Sequence, residues 1–279
     1  NKAPEPGVND RRPLQHPDDL LFPARELVPI DFYEDKYNVL TATGSCPYRC
    51  PFCSAAAIWE GRRNARSPSS VVDELRVLQN QDGVSYVFFS DDIFTLDKKW
   101  VYGVLEEMKT LEWPMQWGCA TRVDLVDAEL LQAMAAGGCV GIQYGVESGS
   151  QQILDTVKHI KKEQVLSAVE AAVSIGIDIM CSFMVPFPDD TRETLRETAA
   201  FMGEVKRAGG RILLNCTCPF PGTYFYEHAQ ELGLRILPKS WGEFDAKHVV
   251  METKHLSADE IDRAVAEIAR ELGLEKSTA

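Results

Sequence analysis

Along the chain, short apolar runs alternate with longer stretches in which apolar residues recur every three or four positions. The runs are "YNVLTAT" (37–43), "VSYVFFS" (84–90), "MQWGCAT" (115–121), "VGIQYGV" (140–146), "DIMCSFMV" (178–185) and "RILLNCT" (211–217). Rich in β-branched and aromatic residues, they read as strands. Between them, "PSSVVDELRVLQNQ", "LDKKWVYGVLEEMKTLE", "VDAELLQAMAAGG", "KEQVLSAVEAAVSIG" and "RETLRETAAFMGEVKRAG" each carry one apolar helix face. Strands alternating with such helices build parallel βαβ units. Six in a row predict an α/β fold: a doubly wound sheet or an incomplete barrel.

The punctuation agrees. Gly137-Gly138, Gly176 and Gly209-Gly210 stand where left-handed C-caps belong. Thr95, Asp127 and Thr191 stand where N-caps would. Residues 224–233 and 257–273 read as further helices, and residues 1–30, Pro-rich and without periodicity, as an extension or linker. In such folds reactive groups collect at the carboxyl ends of the strands.

Composition narrows the classes. The chain has 279 residues, 45% of them hydrophobic, enough for a sizeable core. The net charge of −13 argues against binding the nucleic-acid backbone, which needs Lys and Arg. No apolar run reaches the roughly 20 residues of a membrane span. The start, "NKAPEPGVNDRRPLQHPDDLLFP", lacks the apolar stretch of a signal peptide, so a cytoplasmic setting is expected. There are eight cysteines, too sparse for a disulfide scaffold, and metal binding is the better expectation.

Three of the eight crowd into "TGSCPYRCPFCS": Cys46, Cys50 and Cys53, spaced C-x3-C-x2-C directly after the first strand. Thiolates select zinc or iron–sulfur clusters. A structural zinc site wants four ligands, and only one C-x2-C pair is present. A ferredoxin cluster also uses four cysteines. Three unligated thiols would be a reactive liability. The count fits a 4Fe-4S cluster with three irons held by thiolate and the fourth left open for a small chelating ligand.

C-x3-C-x2-C after the first strand of a (βα)6 unit, with an aromatic (Phe52) before the last cysteine, resembles the radical SAM signature. "YRCPFCS", "RSPSSVVDELRVL", "FFSDDIFTLDKKWV", "GVESGSQQILD" and "PFPGTYFYEHAQELGL" resemble the cobalamin-binding subclass of that superfamily and its near relatives. The resemblance implies a partial (βα)6 TIM-like barrel over residues 36–235. An N-terminal extension over 1–35 and a C-terminal helical extension over 236–279 would flank it. It also implies that S-adenosylmethionine (SAM) chelates the open iron and is cleaved to methionine and a 5′-deoxyadenosyl radical. That radical then abstracts hydrogen from a substrate.

Residues at the strand ends gain expected roles. Ser90, Asp91 and Asp92 replace the family's Gly-Gly-Glu-like motif and would receive the SAM ammonium; the alternative is a capping carboxylate. Arg122 could grip the SAM carboxylate in a fork, or form a structural ion pair. Glu147 follows an apolar strand, where an idle carboxylate is costly, and by resemblance binds ribose hydroxyls or the ammonium. Ser148 and Ser150 are ambiguous, since one would cap the next helix. Ser182, Phe183 and Val185 are where the family packs adenine, with core packing as the rival. The relatives' Gly-x-Pro is Val185-Pro186-Phe187-Pro188 here. Cys216 and Cys218 read as small apolar strand residues rather than ligands, and Cys119, Cys139 and Cys181 as buried. His16, His159, His228, His248 and His255 show no metal-binding spacing and read as surface or loop.

The expected function is a radical SAM enzyme modifying a small, natural-product-like molecule, served by an external donor of the flavodoxin or ferredoxin type. One rival is cobalamin-dependent methyl transfer. About 35 residues precede the first strand, against the roughly 100 or more of a domain. The chain has no Asp-x-His-x-x-Gly run either. Tight cobalamin binding is therefore expected only with an additional domain. The other rival is an electron-transfer iron–sulfur protein with no chemistry of its own.

Overall fold

The computed structural model describes residues 15–27, 29, 37–43, 46–59, 61–82 and 84–274. Most of the 1–35 extension lies outside the described residues. The chain runs β1 (Asn38–Val39), β2 (Ala42–Thr43), α1 (Ala55–Trp59), β3 (Asn64–Ala65), α2 (Pro68–Asp82) and β4 (Tyr86–Phe89). It continues through α3 (Lys98–Met108), β5 (Gln116–Thr121), α4 (Ala128–Ala136), β6 (Cys139–Glu147), α5 (Gln151–Val157), α6 (Lys162–Ser174) and β7 (Asp178–Val185). Then come α7 (Arg192–Arg207), β8 (Arg211–Cys216), α8 (Tyr224–Glu227), β9 (Arg235–Ile236), β10 (Met251–Glu252) and α9 (Ala258–Leu272). Strands β1, β4, β5, β6, β7 and β8 form one sheet in that order, every neighbouring pair parallel.

The choice between doubly wound sheet and partial barrel is made by the helices. α2 packs on α3, α3 on α4, α4 on α6, α6 on α7 and α7 on α9, so one continuous layer covers one face. Right-handed crossovers that never change side produce this arrangement. Burial along β7 follows: Ile179, Cys181, Phe183 and Val185 are sealed under the helices, while Met180, Ser182 and Met184 are half-buried on the other face. That second face is the inner wall of a partial (βα)6 barrel. Its glycines make way for neighbouring side chains: a Cβ at Gly118 would stand 2.8 Å from the Tyr86 hydroxyl and 3.0 Å from the Phe88 ring.

The core under the helices contains Val87, Phe89, Trp117, Tyr144, Phe183 and Phe201. Burying each large apolar side chain stabilises by about 1.5–3 kcal/mol. The strand ends differ in detail from the hydrophobic runs. The first run is two elements: Asn38–Val39 joins the sheet, and Ala42–Thr43 pairs antiparallel with β3. The cause is Asp91, whose carboxylate accepts the N–H groups of Thr41 (3.0 Å) and Ala42 (2.8 Å) and turns the strand off the sheet. Asp127 and Thr191 cap α4 and α7 as expected. Thr95 does not cap α3. It lies in a 3-10 turn with its hydroxyl on Thr121, and Asp97 accepts the Trp100 N–H instead. The 224–233 segment is helical only over Tyr224–Glu227. Gly138, Gly176 and Gly209 take positive φ after their helices.

Candidate active site

The cysteine loop sits over the carboxyl edge of the sheet and is fastened at three points. The Arg122 guanidinium lies 4.0 Å from the centre of the Tyr48 ring. The Pro51 carbonyl accepts the Phe225 N–H at 3.1 Å. Phe52 packs edge-on against Phe187, ring centres 5.7 Å apart, and against Phe225 at 6.4 Å. Phe52 thus pins the loop between Cys50 and Cys53 by burying its ring, joining Met184 on the barrel's inner wall. Cys46, Cys50 and Cys53 are free, half-buried thiols. Burial raises all three above an ordinary thiol. They lie within one another's electrostatic reach, and Asp92 adds to the rise at Cys46 and Cys53. At Cys50, Lys158 and Arg122 pull the other way. Among the described residues, no group of three His, Cys, Asp or Glu side chains is placed to hold a single metal ion. Three thiols on one loop are a donor set that a cluster would take, each thiolate holding a different iron.

Beneath the loop lie two ion pairs. Arg122 grips Asp124 with both arms, Nε to Oδ1 and Nη2 to Oδ2 at 2.9 Å each, and Nη2 also donates to the Lys158 carbonyl at 3.0 Å. Lys158 Nζ donates to Glu147 Oε1 at 2.7 Å, with both side chains less than a tenth exposed. Glu147 is held by an unusual backbone. The β6–β7 register slips between Gly145 and Glu147, and Glu147 has φ +80°. A bulge re-aims a side chain, and a non-glycine residue in this region costs about 1–3 kcal/mol, a pattern typical of functional sites. Gly145 makes the space: a Cβ there would stand 2.5 Å from Glu147 Oε1 and 2.8 Å from Lys158 Nζ.

The other expected residues scatter. Asp91 is almost fully buried and bound to backbone N–H groups; burial pushes its carboxyl up to about 6. Ser90 donates to Asn38 Oδ1 at 3.0 Å. Ser182 lines the inner wall, but Phe183 packs on Phe201 under the helices and Val185 packs with Leu195, Leu256 and Ile261. Strand alternation alone dictates this, so only the backbone of Phe183 and Val185 can face a ligand. Ser148 accepts the Ser150 N–H at 3.1 Å and bonds Thr198; Ser150 is the N-cap of α5, without a side-chain bond. Cys216 and Cys218 are buried, their thiols pushed up to about 11. Lys158, Tyr48 and Asp124 were not legible as site residues.

Beside the loop opens a cleft of about 860 Å³, lined by Cys50, Cys53, Ile153, Lys158, Phe187 and Tyr224 among others. Its size matches a small-molecule site of roughly 300–1,000 Å³. Glu147, Arg122, Asp91 and Ser182 lie outside its lining.

The model of the radical SAM superfamily matches residues 40–202, more than half of the chain. The chain belongs to the radical SAM superfamily. Membership makes it an enzyme whose cofactors are a 4Fe-4S cluster and SAM, and sets aside both the zinc site and the plain electron carrier. An uncharacterized methyltransferase of Pyrococcus horikoshii is 30% identical over 257 residues, covering 90% of this chain and 55% of the relative. The bacteriochlorophyllide d C-12(1)-methyltransferase of Chlorobaculum tepidum is 26% identical, covering 90% and 57%. Among solved structures, the radical SAM methyltransferase TsrM from Kitasatospora setae, with cobalamin and a 4Fe-4S cluster bound, superimposes with a TM-score of 0.63 at 22% identity. That match covers 74% of this chain and 42% of TsrM. The chain therefore spans about half the length of the relatives it matches. No helix among the described residues is long and apolar enough to cross a membrane.

Proposed function

We propose that this chain is the radical-generating partial barrel of an enzyme that modifies a small, natural-product-like molecule. The observation that carries the reading is the trio of half-buried thiols of Cys46, Cys50 and Cys53, fastened over the carboxyl edge of a six-stranded partial barrel. Held by Cys46, Cys50 and Cys53, a 4Fe-4S cluster would supply the electron for the reductive cleavage of SAM to methionine and a 5′-deoxyadenosyl radical. The chain's own part is holding and orienting. Cys46, Cys50 and Cys53 ligate the cluster. Phe52 and Tyr48 are positioning residues that fix the loop through Phe187, Phe225 and Arg122. Asp91 positions the loop's entry through Thr41 and Ala42, and Asp92, nearer the thiols, takes the SAM ammonium. Glu147, aimed by its bulge and held by Lys158, takes the ribose hydroxyls or the ammonium. Arg122 acts through Tyr48 and Asp124 rather than as a free clamp. Ser90 and Ser182, with the Val185 backbone, complete the inner wall against SAM. The buried free thiols suit a reducing cytoplasm.

Methyl transfer with cobalamin is the second reading, favoured by the methyltransferase relatives and by the cobalamin seen in TsrM. No residue of this chain is assigned to a corrin. The test is anaerobic reconstitution with iron and sulfide, reduction with dithionite, and product analysis. 5′-Deoxyadenosine from SAM is expected; none above the cluster-free control overturns the reading. Stoichiometric retention of hydroxocobalamin after desalting would move methyl transfer to first place.

A further inference from the structure

The cleft beside the cysteine loop is walled mostly by carbon. Ala56 and Ala57 of α1, Ile153 and Val157 of α5, and Phe187 and Phe225 line it. Tyr224 and His228 line it too, at the start and the end of α8. Tyr224 is 50% exposed, and its ring stacks on that of His228, centres 4.0 Å and planes 18° apart.

The charges of this lining are unequally committed. Lys158 is taken by Glu147 and Asp189 by Lys254, each at 2.7 Å. Glu227 accepts the Gly222 N–H at 3.2 Å. Arg49, exposed between Cys46 and Cys50, has no hydrogen-bond or ion-pair partner among the described residues. A guanidinium presents a planar fork that matches a carboxylate or a phosphate. Aromatic rings and apolar walls receive a flat apolar body. An apolar wall with a few placed polar groups is the make-up of a small-molecule site. Cys50 and Cys53 are in this lining, whereas Glu147, Arg122, Asp91 and Ser182 are not. The cleft therefore touches the thiol loop without using the residues assigned to SAM, which leaves it to a second reactant.

We propose that this cleft binds the molecule the enzyme modifies, and that this molecule is a flat, conjugated ring system carrying a carboxylate or a phosphate. Its ring lies against Tyr224 and His228, and its acid group pairs with Arg49. As the place of the substrate the cleft rests on the radical SAM reading; as a binding site it does not.

The test uses two probes with one ring system. 1-Anilinonaphthalene-8-sulfonate carries an anion, and N-phenyl-1-naphthylamine is neutral. Fluorescence titration of the cluster-free chain under reducing conditions should show both binding, the sulfonate more tightly. Arg49→Gln should weaken the sulfonate at least about fivefold, as loss of a charge-assisted contact does, and leave the neutral probe within about twofold. Arg49→Lys should recover part of that loss. Tyr224→Ala, a change at an exposed site, should weaken both probes about threefold or more. Bound sulfonate should also slow iodoacetamide labelling of Cys50 and Cys53, read by mass spectrometry, and spare Cys46, which is outside the lining. Arg49→Gln binding the sulfonate as the wild type does overturns the proposal, as does unchanged binding of both probes to Tyr224→Ala or a failure to shield Cys50 and Cys53. Displacement of the sulfonate by SAM from the reconstituted chain also overturns it, because the cleft would then be SAM's own. A wild-type chain that makes no 5′-deoxyadenosine with dithionite overturns the radical reading, and with it the substrate role, while the probe titrations still decide the binding site.

Discussion

Replacing Lys158 by methionine tests the ion pair beneath the cysteine loop without any cofactor present. The pair is short, 2.7 Å, and its side chains are only 9% and 8% exposed. Lys158→Met keeps the length of the chain and removes the charge, leaving the Glu147 carboxylate buried without its cation. Removing one partner of a buried pair costs about 3–5 kcal/mol. Glu147→Gln keeps an amide oxygen as acceptor for the ammonium, so its cost should sit nearer the roughly 1.5–3 kcal/mol of one charged hydrogen bond. In Lys158→Met/Glu147→Gln neither charge remains. The double variant should be more stable than the sum of the singles allows by about 1–3 kcal/mol, the range for residues in direct contact. Urea unfolding of the cluster-free chain at neutral pH under reducing conditions gives all four corners of the cycle. Additivity to within about 0.5 kcal/mol would mean that the pair is not formed as described. After reconstitution, Glu147→Gln should also weaken SAM by about 1.5–3 kcal/mol in isothermal titration, with iron content unchanged. Unaltered SAM binding would return Glu147 to a structural role.

Two further outcomes are expected. Cys50→Ala should lose the SAM-sensitive spectrum and all SAM cleavage, whereas Cys119→Ala and Cys181→Ala, both fully buried under the helices, should keep their iron content by ferrozine assay. Asp190 accepts the Phe187 N–H at 2.7 Å and the Thr194 hydroxyl at 2.6 Å, yet burial pushes its carboxyl up to about 6. Its folded value lies above the unfolded one of about 3.9, so the native state holds the extra proton. The stability this contributes is fully present below about pH 4 and lost as pH rises through 6. Wild-type stability should therefore drop across that window by on the order of 2 kcal/mol from this group, and Asp190→Asn should flatten the slope in pH-dependent urea melts. The flattening should be partial, because Asp91 shifts in the same direction.

What the sequence made legible is what depends on neighbours in the chain. The five longer strands, the capping residues Asp127 and Thr191 and the cysteine spacing are all local patterns, and all appear in the fold. What it hid depends on distant partners. Thr41 and Ala42 look like strand residues until Asp91, fifty residues later, takes their N–H groups. Thr95 and Asp97 are equally good caps on paper, and the Thr121 hydroxyl decides between them. Sheet and barrel share one hydrophobic rhythm, and only the unbroken file of helices on one face separates them. Lys158 is one of three lysines in "KHIKK". It turns inward because α5 ends at Val157 and His159 takes φ +58°, while Lys161 is exposed and Lys162 lies over the Phe201 ring, 5.4 Å from its centre. No spacing rule marks it.

These distant partners also shape the cysteine loop. Both cations beneath the loop are paired, Arg122 with Asp124 and Lys158 with Glu147, and both still favour the thiolate at Cys50 against the burial that raises it. Burial raises all three thiols above their ordinary value. The loop is shaped instead by groups that need no charge on sulfur: the Phe52 ring among Phe187 and Phe225, the Pro51 carbonyl on Phe225, and Tyr48 under Arg122.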